Sequence, residues 1–402
     1  MTKAVTRRGL LAGAISAPFL SGTRSWAAGE PGVTSTEIKL GTTAPYSGPL
    51  SSLAIYGEAQ TAFFRMINDR GGINGRKVNL LSLDNAFSPP KAVEQTRKLV
   101  EDEGVFAIAG SLGTPTNAAV QKYLNDKAVP FLFLTSGAER FNDPKNFPWV
   151  IPLYPSYVAQ GAIYGRFLAQ NRPDAKIAVM YENDDLGKDY LRGLKQGLGS
   201  RAAAMIVKEM PHELTDTTID TLVVTAKSAG ADTFIQFTNG KYAAQGIRRI
   251  GSINWKPLQI IASNAASIGA TLVPAGLENC KGIMTVRWEK DITSPEFAKD
   301  PGVAEFKAFA TKYMPRYNQE DQTAVPGYVC AWTIAEVLRR CGNELTRENL
   351  LRQATTLKDL SVPMLLPRIR LSNSPTNYDA FHAMELIQFN GERFEPRGVI
   401  EI

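Results

Sequence analysis

Residues 105–138, VFAIAGSLGTPTNAAVQKYLNDKAVPFLFLTSGA, restrict this chain more than any other stretch. Positions 105–109 form a short apolar run that reads as a buried strand, and 110–113 a glycine-punctuated loop. Thr114-Pro115 then opens a helix, with a hydroxyl at its cap and proline in its first turn. The helix is expected to end near Lys127. Val129-Pro130 starts a second buried strand, 131–134, which runs into the small-residue loop Thr135-Ser136-Gly137-Ala138. Strand, loop, helix, strand is a βαβ unit, and in an open parallel sheet ligands sit outside the carboxyl ends of the strands.

Both loops lie at such ends. The first has free backbone N–H groups at a helix N-terminus, where the partial positive charge favours an anion, and Thr114 adds a hydroxyl. Gly113, Thr114, Ser136 and Gly137 are therefore expected to cradle a small anion, most simply a carboxylate. The plainer reading is a capped helix between tight turns that binds nothing.

The 402 residues suffice for two domains with full cores, and 44% hydrophobic with 21% charged residues is ordinary globular composition. The net charge of +6 does not point to nucleic acid. Lys3, Arg7, Arg8 and Arg24 lie in the first 28 residues, which contain no acid, and taking those four charges away leaves +2. Residues 1–28 read as an export signal. Thr6-Arg7-Arg8-Gly9-Leu10-Leu11 has the twin-arginine form, 10–20 is a modest apolar core, and Ser25-Trp26-Ala27 offers a cleavage site. A soluble periplasmic product is expected, because no segment reaches the roughly 20 apolar residues of a membrane span.

Downstream, strands and helices alternate in two series. Strands are expected at 37–44, 77–84, 176–181, 203–208, 233–237 and 258–262, and helices at 53–70, 89–103, 157–170, 188–198, 217–229 and 242–250. Residues 151–157, with two prolines, read as an edge strand or crossover. Two runs of βαβα imply an α/β chain of two doubly wound lobes. After about 277 come a strand at 282–288, helices at 303–313, 326–340 and 346–356, and an antiparallel pair, 383–389 with 393–399, joined by Asn390-Gly391.

The order of motifs resembles the periplasmic solute-binding proteins of branched-chain-amino-acid-type ABC transporters. The residues that carry the resemblance are Ser47-Gly48-Pro49, the run from Asn68 to Arg76 (NDRGGINGR), Ala109-Gly110-Ser111 with Thr114, Val129-Pro130, and Asn183-Asp184-Asp185-Leu186-Gly187. The resemblance implies the type I periplasmic binding fold: two lobes joined by three crossover strands, closing on a ligand. It implies lobes of 29–152 plus 264–376 and of 153–263 plus 377–402. It implies that the ligand carboxylate meets Gly113, Thr114 and the Ser136-Gly137-Ala138 backbone, with Tyr56 as a ring-bearing wall and Tyr154, Thr238 and Asn239 facing from the second lobe. Tyr328 is a further candidate for stacking on a ring.

Members that bind α-amino acids place a carboxylate just after the strand equivalent to 233–237. Here that segment, 238–246, reads TNGKYAAQG and has no acid. A ligand ammonium buried there would lack a counterion, a penalty of several kcal/mol on general grounds. Stretches 149–157 and 345–367 also resemble the subgroup that binds aromatic carboxylic acids. The expectation is a monomeric importer component that holds a benzoate or phenylpropenoate and docks on a membrane permease, without cofactor, metal or nucleic acid. An acidic side chain pointing into the gap from elsewhere would restore amino acids as guests. A branched-chain or other amino acid in the same role, and a ligand sensor for a signalling partner, are the alternatives.

Catalysis has little to stand on. His212 and His382 are isolated, and neither a G-x-S-x-G elbow, a P-loop nor a G-x-G-x-x-G run occurs. Asp184-Asp185 reads as a helix N-terminal pair rather than a cation site. Cys330 and Cys341 share an expected helix, roughly 16 Å apart along its axis, so a disulfide would have to use Cys280; three free buried thiols are the other reading.

Overall fold

The computed structural model describes residues 1–2, 29–318 and 321–402. The expected export signal, apart from its first two residues, lies outside the described residues. In the first lobe, β1 (Glu37–Ala44), β2 (Lys77–Asp84), β3 (Ala107–Ala109), β4 (Phe131–Leu134) and β5 (Val150–Pro152) form a parallel sheet in the order β2-β1-β3-β4-β5. β3, β4 and β5 are buried at every position, as strands covered on both faces must be. The helix Ala54–Asp69 buries Ala59, Ala62, Phe63, Met66 and Ile67 along one stripe. Against it pack two helices from late in the chain, Pro301–Tyr313 and Val325–Cys341.

The second lobe holds β6 (Ile177–Glu182), β7 (Ile206–His212), β8 (Thr233–Phe237), β9 (Leu258–Ile261), β10 (Met284–Arg287), β11 (Ala383–Phe389) and β12 (Phe394–Glu401), in the order β12-β11-β10-β9-β8-β6-β7. Pairing is parallel from β7 through β10 and antiparallel at β10-β11 and β11-β12. The helices Tyr157–Asn171 and Asp185–Leu198 approach through glycines: a Cβ on Gly161 would stand 2.2 Å from the Tyr190 carbonyl oxygen, and one on Gly193 2.0 Å from that of Val158. This contact sets Tyr157 beside Tyr190.

The chain crosses between lobes at 153–156, 288–291 and about 378–382. The lobe boundary differs. β10 pairs with β9 and β11, so residues 264–287 belong with the second lobe rather than the first. A short apolar strand carries no mark of the sheet that will accept it. A second difference lies at 203–208, where the alanine run closes a helical turn, Ala202–Met205, before β7 begins; alanine favours helix over strand.

Candidate functional site

A cavity of about 220 Å³ lies between the lobes, with Gly113 and Thr114 on one side, Glu182 and Asn239 on the other, and Tyr154, Tyr157 and Trp288 along the crossovers. Gly113 caps the helix Thr114–Asp126 with φ +120°, and a Cβ there would meet Thr116 Oγ1 at 2.4 Å. Glycine is required on both counts. Asn117 Nδ2 donates to the Ser111 carbonyl at 3.0 Å and Thr116 Oγ1 to that of Leu112 at 3.1 Å, tying the first turn to the loop.

Thr114 Oγ1 stands 2.8 Å from Ser136 Oγ and 3.5 Å from Tyr157 Oη. The Ala138 N–H donates to Ser136 Oγ at 3.3 Å. The loop that carries Ser136 is aimed by Phe133, whose φ of +54° accompanies a register shift between β4 and β5. Such bulges redirect side chains beside sites. Three hydroxyls thus meet at a helix N-terminus, where a carboxylate gains from both hydrogen bonds and the helix dipole.

Rings form the adjoining wall. Tyr157 stacks on Tyr190 at 4.9 Å, and Tyr190 on Phe237 at 4.7 Å. Tyr154 meets Tyr157 and Trp288 edge-on, each at 5.8 Å. Its hydroxyl lies 3.0 Å from Ser263 Oγ. Burial pushes the Tyr157 phenol up to about 12 and raises that of Tyr154 as well, so both remain neutral. Tyr56 also lines the cavity, its hydroxyl bonded to Thr135 Oγ1.

On the second lobe Glu182, the last residue of β6, is 3% exposed. Its Oε1 accepts from the Asn239 N–H and Nδ2, both at 2.7 Å, and from Thr238 Oγ1 at 3.0 Å. Burial, with the Asp184 charge beside it, pushes the Glu182 carboxyl up to about 8, against the pull of those three donors. Asp184 caps the helix Asp185–Leu198 through the Gly187 N–H, while its Oδ2 is buried without a partner. Glu289, in the second crossover, lines the same cavity, and burial pushes it too up to about 8.

The expectation of a facing half without an acid is therefore corrected. The 238–246 segment has none, and Lys241 is exposed and lies over the Tyr242 ring. The acids arrive instead from the end of β6 and from a crossover.

Several other candidates sit differently. Tyr56, Gly113, Thr114, Tyr154 and Asn239 line the cavity, and Ser136 is bonded directly behind Thr114. Thr238 is turned inward, its hydroxyl shared between Glu182 and His212 Nε2, the latter at 2.9 Å. Gly137 serves the crossover: its carbonyl accepts from the Tyr157 N–H at 2.8 Å, and a Cβ on it would meet the Pro155 oxygen at 2.1 Å. Ala138 braces Ser136 rather than reaching the cavity. Tyr328 is wholly buried among Phe63, Phe306 and Phe309 in the first lobe, since its helix presents that face to the core. Sequence reasoning passed over Tyr157, Trp288, Glu182 and Glu289. Glu182 alone had a signal, because it closes a parallel strand as Leu134 does.

No group of His, Cys, Asp and Glu suited to a metal ion occurs among the described residues. Cys280, Cys330 and Cys341 are free and buried, and burial pushes the first two thiols up to about 12. Asp185 pairs with Arg140 at 2.8 Å, so the Asp184-Asp185 pair serves its helix and the lobe contact. No helix among the described residues is long and apolar enough to cross a membrane.

Residues 37–393 match the family model described as periplasmic binding protein. A Brucella abortus protein called Leu/Ile/Val-binding protein homolog 7 is 26% identical over 325 residues, covering 76% of this chain and 78% of that one. Among solved structures, a branched chain amino acid ABC transporter from Thermus thermophilus with bound valine aligns with a TM-score of 0.80 at 16% identity, over 92% of this chain and 98% of that one. An ABC transporter solute binding protein from R. palustris, in complex with benzoate, aligns with a TM-score of 0.74 at 20% identity, over 90% and 96%. At those identities the structural likeness speaks for the fold. The family match spans both lobes and all of the cavity lining but Phe394, and the chain belongs to the periplasmic binding protein family.

Proposed function

We propose that this protein is the solute-binding component of an ABC importer, and that its guest is an aromatic carboxylic acid of the benzoate or phenylpropenoate kind. The observation that carries the reading is the hydroxyl cluster Thr114, Ser136 and Tyr157 at a helix N-terminus, opening onto the ring wall of Tyr154, Tyr157 and Trp288. A carboxylate satisfies the first and a ring the second. Burial pushes the Glu182 carboxyl up to about 8, toward the neutral form, which does not repel an acid. A guest that touches both lobes favours their closed arrangement, and the closed form is the one delivered to the permease.

The acids that line the gap bring amino acids back as guests, and this second reading has its own support. Three donors converge on Glu182 Oε1, which leaves Oε2 to the occupant, and Asp184 Oδ2 has no partner. A guest ammonium would meet both and hold both ionised, as an α-amino acid requires. Titration calorimetry with benzoate and with leucine, each in two buffers of different ionisation enthalpy, separates the two. The aromatic reading expects benzoate to bind without proton release. Binding of leucine alone, with protons released from the acid pair, would replace it.

A further inference from the structure

We propose that Glu289 reads the far end of the guest, and that the preferred acid carries a hydrogen-bond donor, a hydroxyl, at the end opposite its carboxylate. This rests on the carboxylate reading above. Glu289 lines the cavity, and its Oε2 is buried with no hydrogen-bond partner. Gln322 favours the Glu289 carboxylate as a side-chain hydrogen-bond partner, yet Oε2 is left over, and Gln322 and Lys290 have other partners. Gln322 donates through Nε2 to the Lys290 carbonyl at 2.6 Å and accepts through Oε1 from the Ile292 N–H at 3.1 Å. Lys290 is spent on Asp300 and on the Pro363 carbonyl, at 2.9 and 2.7 Å. A buried carboxyl oxygen left in this state keeps its desolvation cost, which a donor supplied by the guest recovers.

The position fits the far end of a ring-bearing acid. From the hydroxyls at Thr114, the ring row runs through Tyr157 and Tyr154 to Trp288, the residue before Glu289. An acid seated with its carboxylate at Thr114 and its ring along that row presents its distal substituent to Glu289. Charge decides which substituent is accepted. Arg287, whose Nη1 is also buried and unpaired, already holds Glu385 at 2.6 Å and Glu296 at 3.3 Å. With Asp291 lining the cavity and Asp300 on Lys290, this end carries more acid than base without counting Glu289, and a second carboxylate on the guest is disfavoured.

Titration calorimetry of the mature chain with benzoate, 4-hydroxybenzoate, 4-(aminomethyl)benzoate and terephthalate tests this. The hydroxy acid is expected to bind about tenfold more tightly than benzoate, the worth of one hydrogen bond to a buried carboxyl, with terephthalate the weakest. In Glu289→Leu the ratio of 4-hydroxybenzoate to benzoate affinity is expected to fall to about one. In Glu289→Gln, which keeps an acceptor oxygen and the side-chain volume, the hydroxyl preference persists. Equal affinity for benzoate and 4-hydroxybenzoate, or a preference undiminished in Glu289→Leu, overturns the assignment and leaves the carboxylate reading standing. Tightest binding of 4-(aminomethyl)benzoate makes the donor an ammonium and overturns the hydroxyl. Binding of leucine with none of the four acids overturns both readings.

Discussion

Thr114 Oγ1 and Ser136 Oγ, 2.8 Å apart, join the helix that follows β3 to the loop that follows β4. The two hydroxyls come from adjacent strands of one parallel sheet, which is why residues 22 positions apart meet at its carboxyl edge. Replacing Thr114 by alanine removes one hydrogen bond to a charged guest and part of the support for Ser136. Carboxylate affinity is expected to fall by about 1–2 kcal/mol, read by calorimetry. An unchanged affinity would take Thr114 out of the site.

Glu182 ties guest binding to pH. Its carboxyl, held at about 8 by burial and by Asp184, becomes an anion in the cleft above that pH. Affinity for an aromatic acid is expected to fall as pH rises through about 8, and Glu182→Gln to flatten the profile. For an amine-bearing guest the sign reverses, because the ionised carboxylate attracts the ammonium. A fluorescence titration at pH 6, 7, 8 and 9 reads the sign directly.

The empty protein should lose thermal stability over the same interval. Glu182 and Glu289 ordinarily titrate near 4.5 and are both pushed up to about 8 in the folded chain. The folded state therefore keeps protons that the unfolded state has released. This contribution is fully present below about pH 4.5 and is lost as pH rises through 8, with a slope of at most roughly 1.4 kcal/mol per pH unit for each group. Calorimetric Tm values are expected to decline between pH 6 and 9, less steeply in Glu182→Gln. A Tm that rises over that range contradicts the burial of both carboxyls.

The lobes also meet through charges at the edge of the cleft. Arg140 of the first lobe pairs with Asp185 of the second at 2.8 Å, Arg192 of the second with Glu139 of the first at 2.5 Å, and the Glu139 N–H donates to Asp189 at 2.7 Å. All four side chains in the two ion pairs are about half exposed, so each pair contributes about 0–1 kcal/mol, screened by salt. The double variant Arg140→Ala, Arg192→Ala is expected to weaken guest binding by no more than about thirtyfold at low ionic strength. At high salt it should converge on the parent protein. A difference that survives high salt would mean the arginines touch the guest.

The helix N-terminus at Gly113-Thr114 was legible because its parts are local. A glycine, a threonine and a proline at the junction of strand and helix determine a capped N-terminus whatever surrounds them. Tyr154 and Asn239, named by resemblance as residues near a crossover and at a strand end, do line the cavity. Tyr328 does not, because its helix buries that face in the first lobe, and the periodicity of one helix does not say which face meets a cleft. Glu182 escaped for a related reason. Nothing local to the end of β6 shows that Asn239, 57 residues later, closes over it.

By itself, then, the sequence determined two alternating α/β lobes and a helix N-terminus with a hydroxyl ready for an anion, since these follow from apolar periodicity and turn chemistry within a few residues. Only the tertiary structure decided that residues 264–287 complete the second sheet, that Tyr157 and Trp288 wall the cavity, and that two carboxyls face into it. Strand partners, burial and protonation depend on groups brought together from distant parts of the chain, and no local pattern records them.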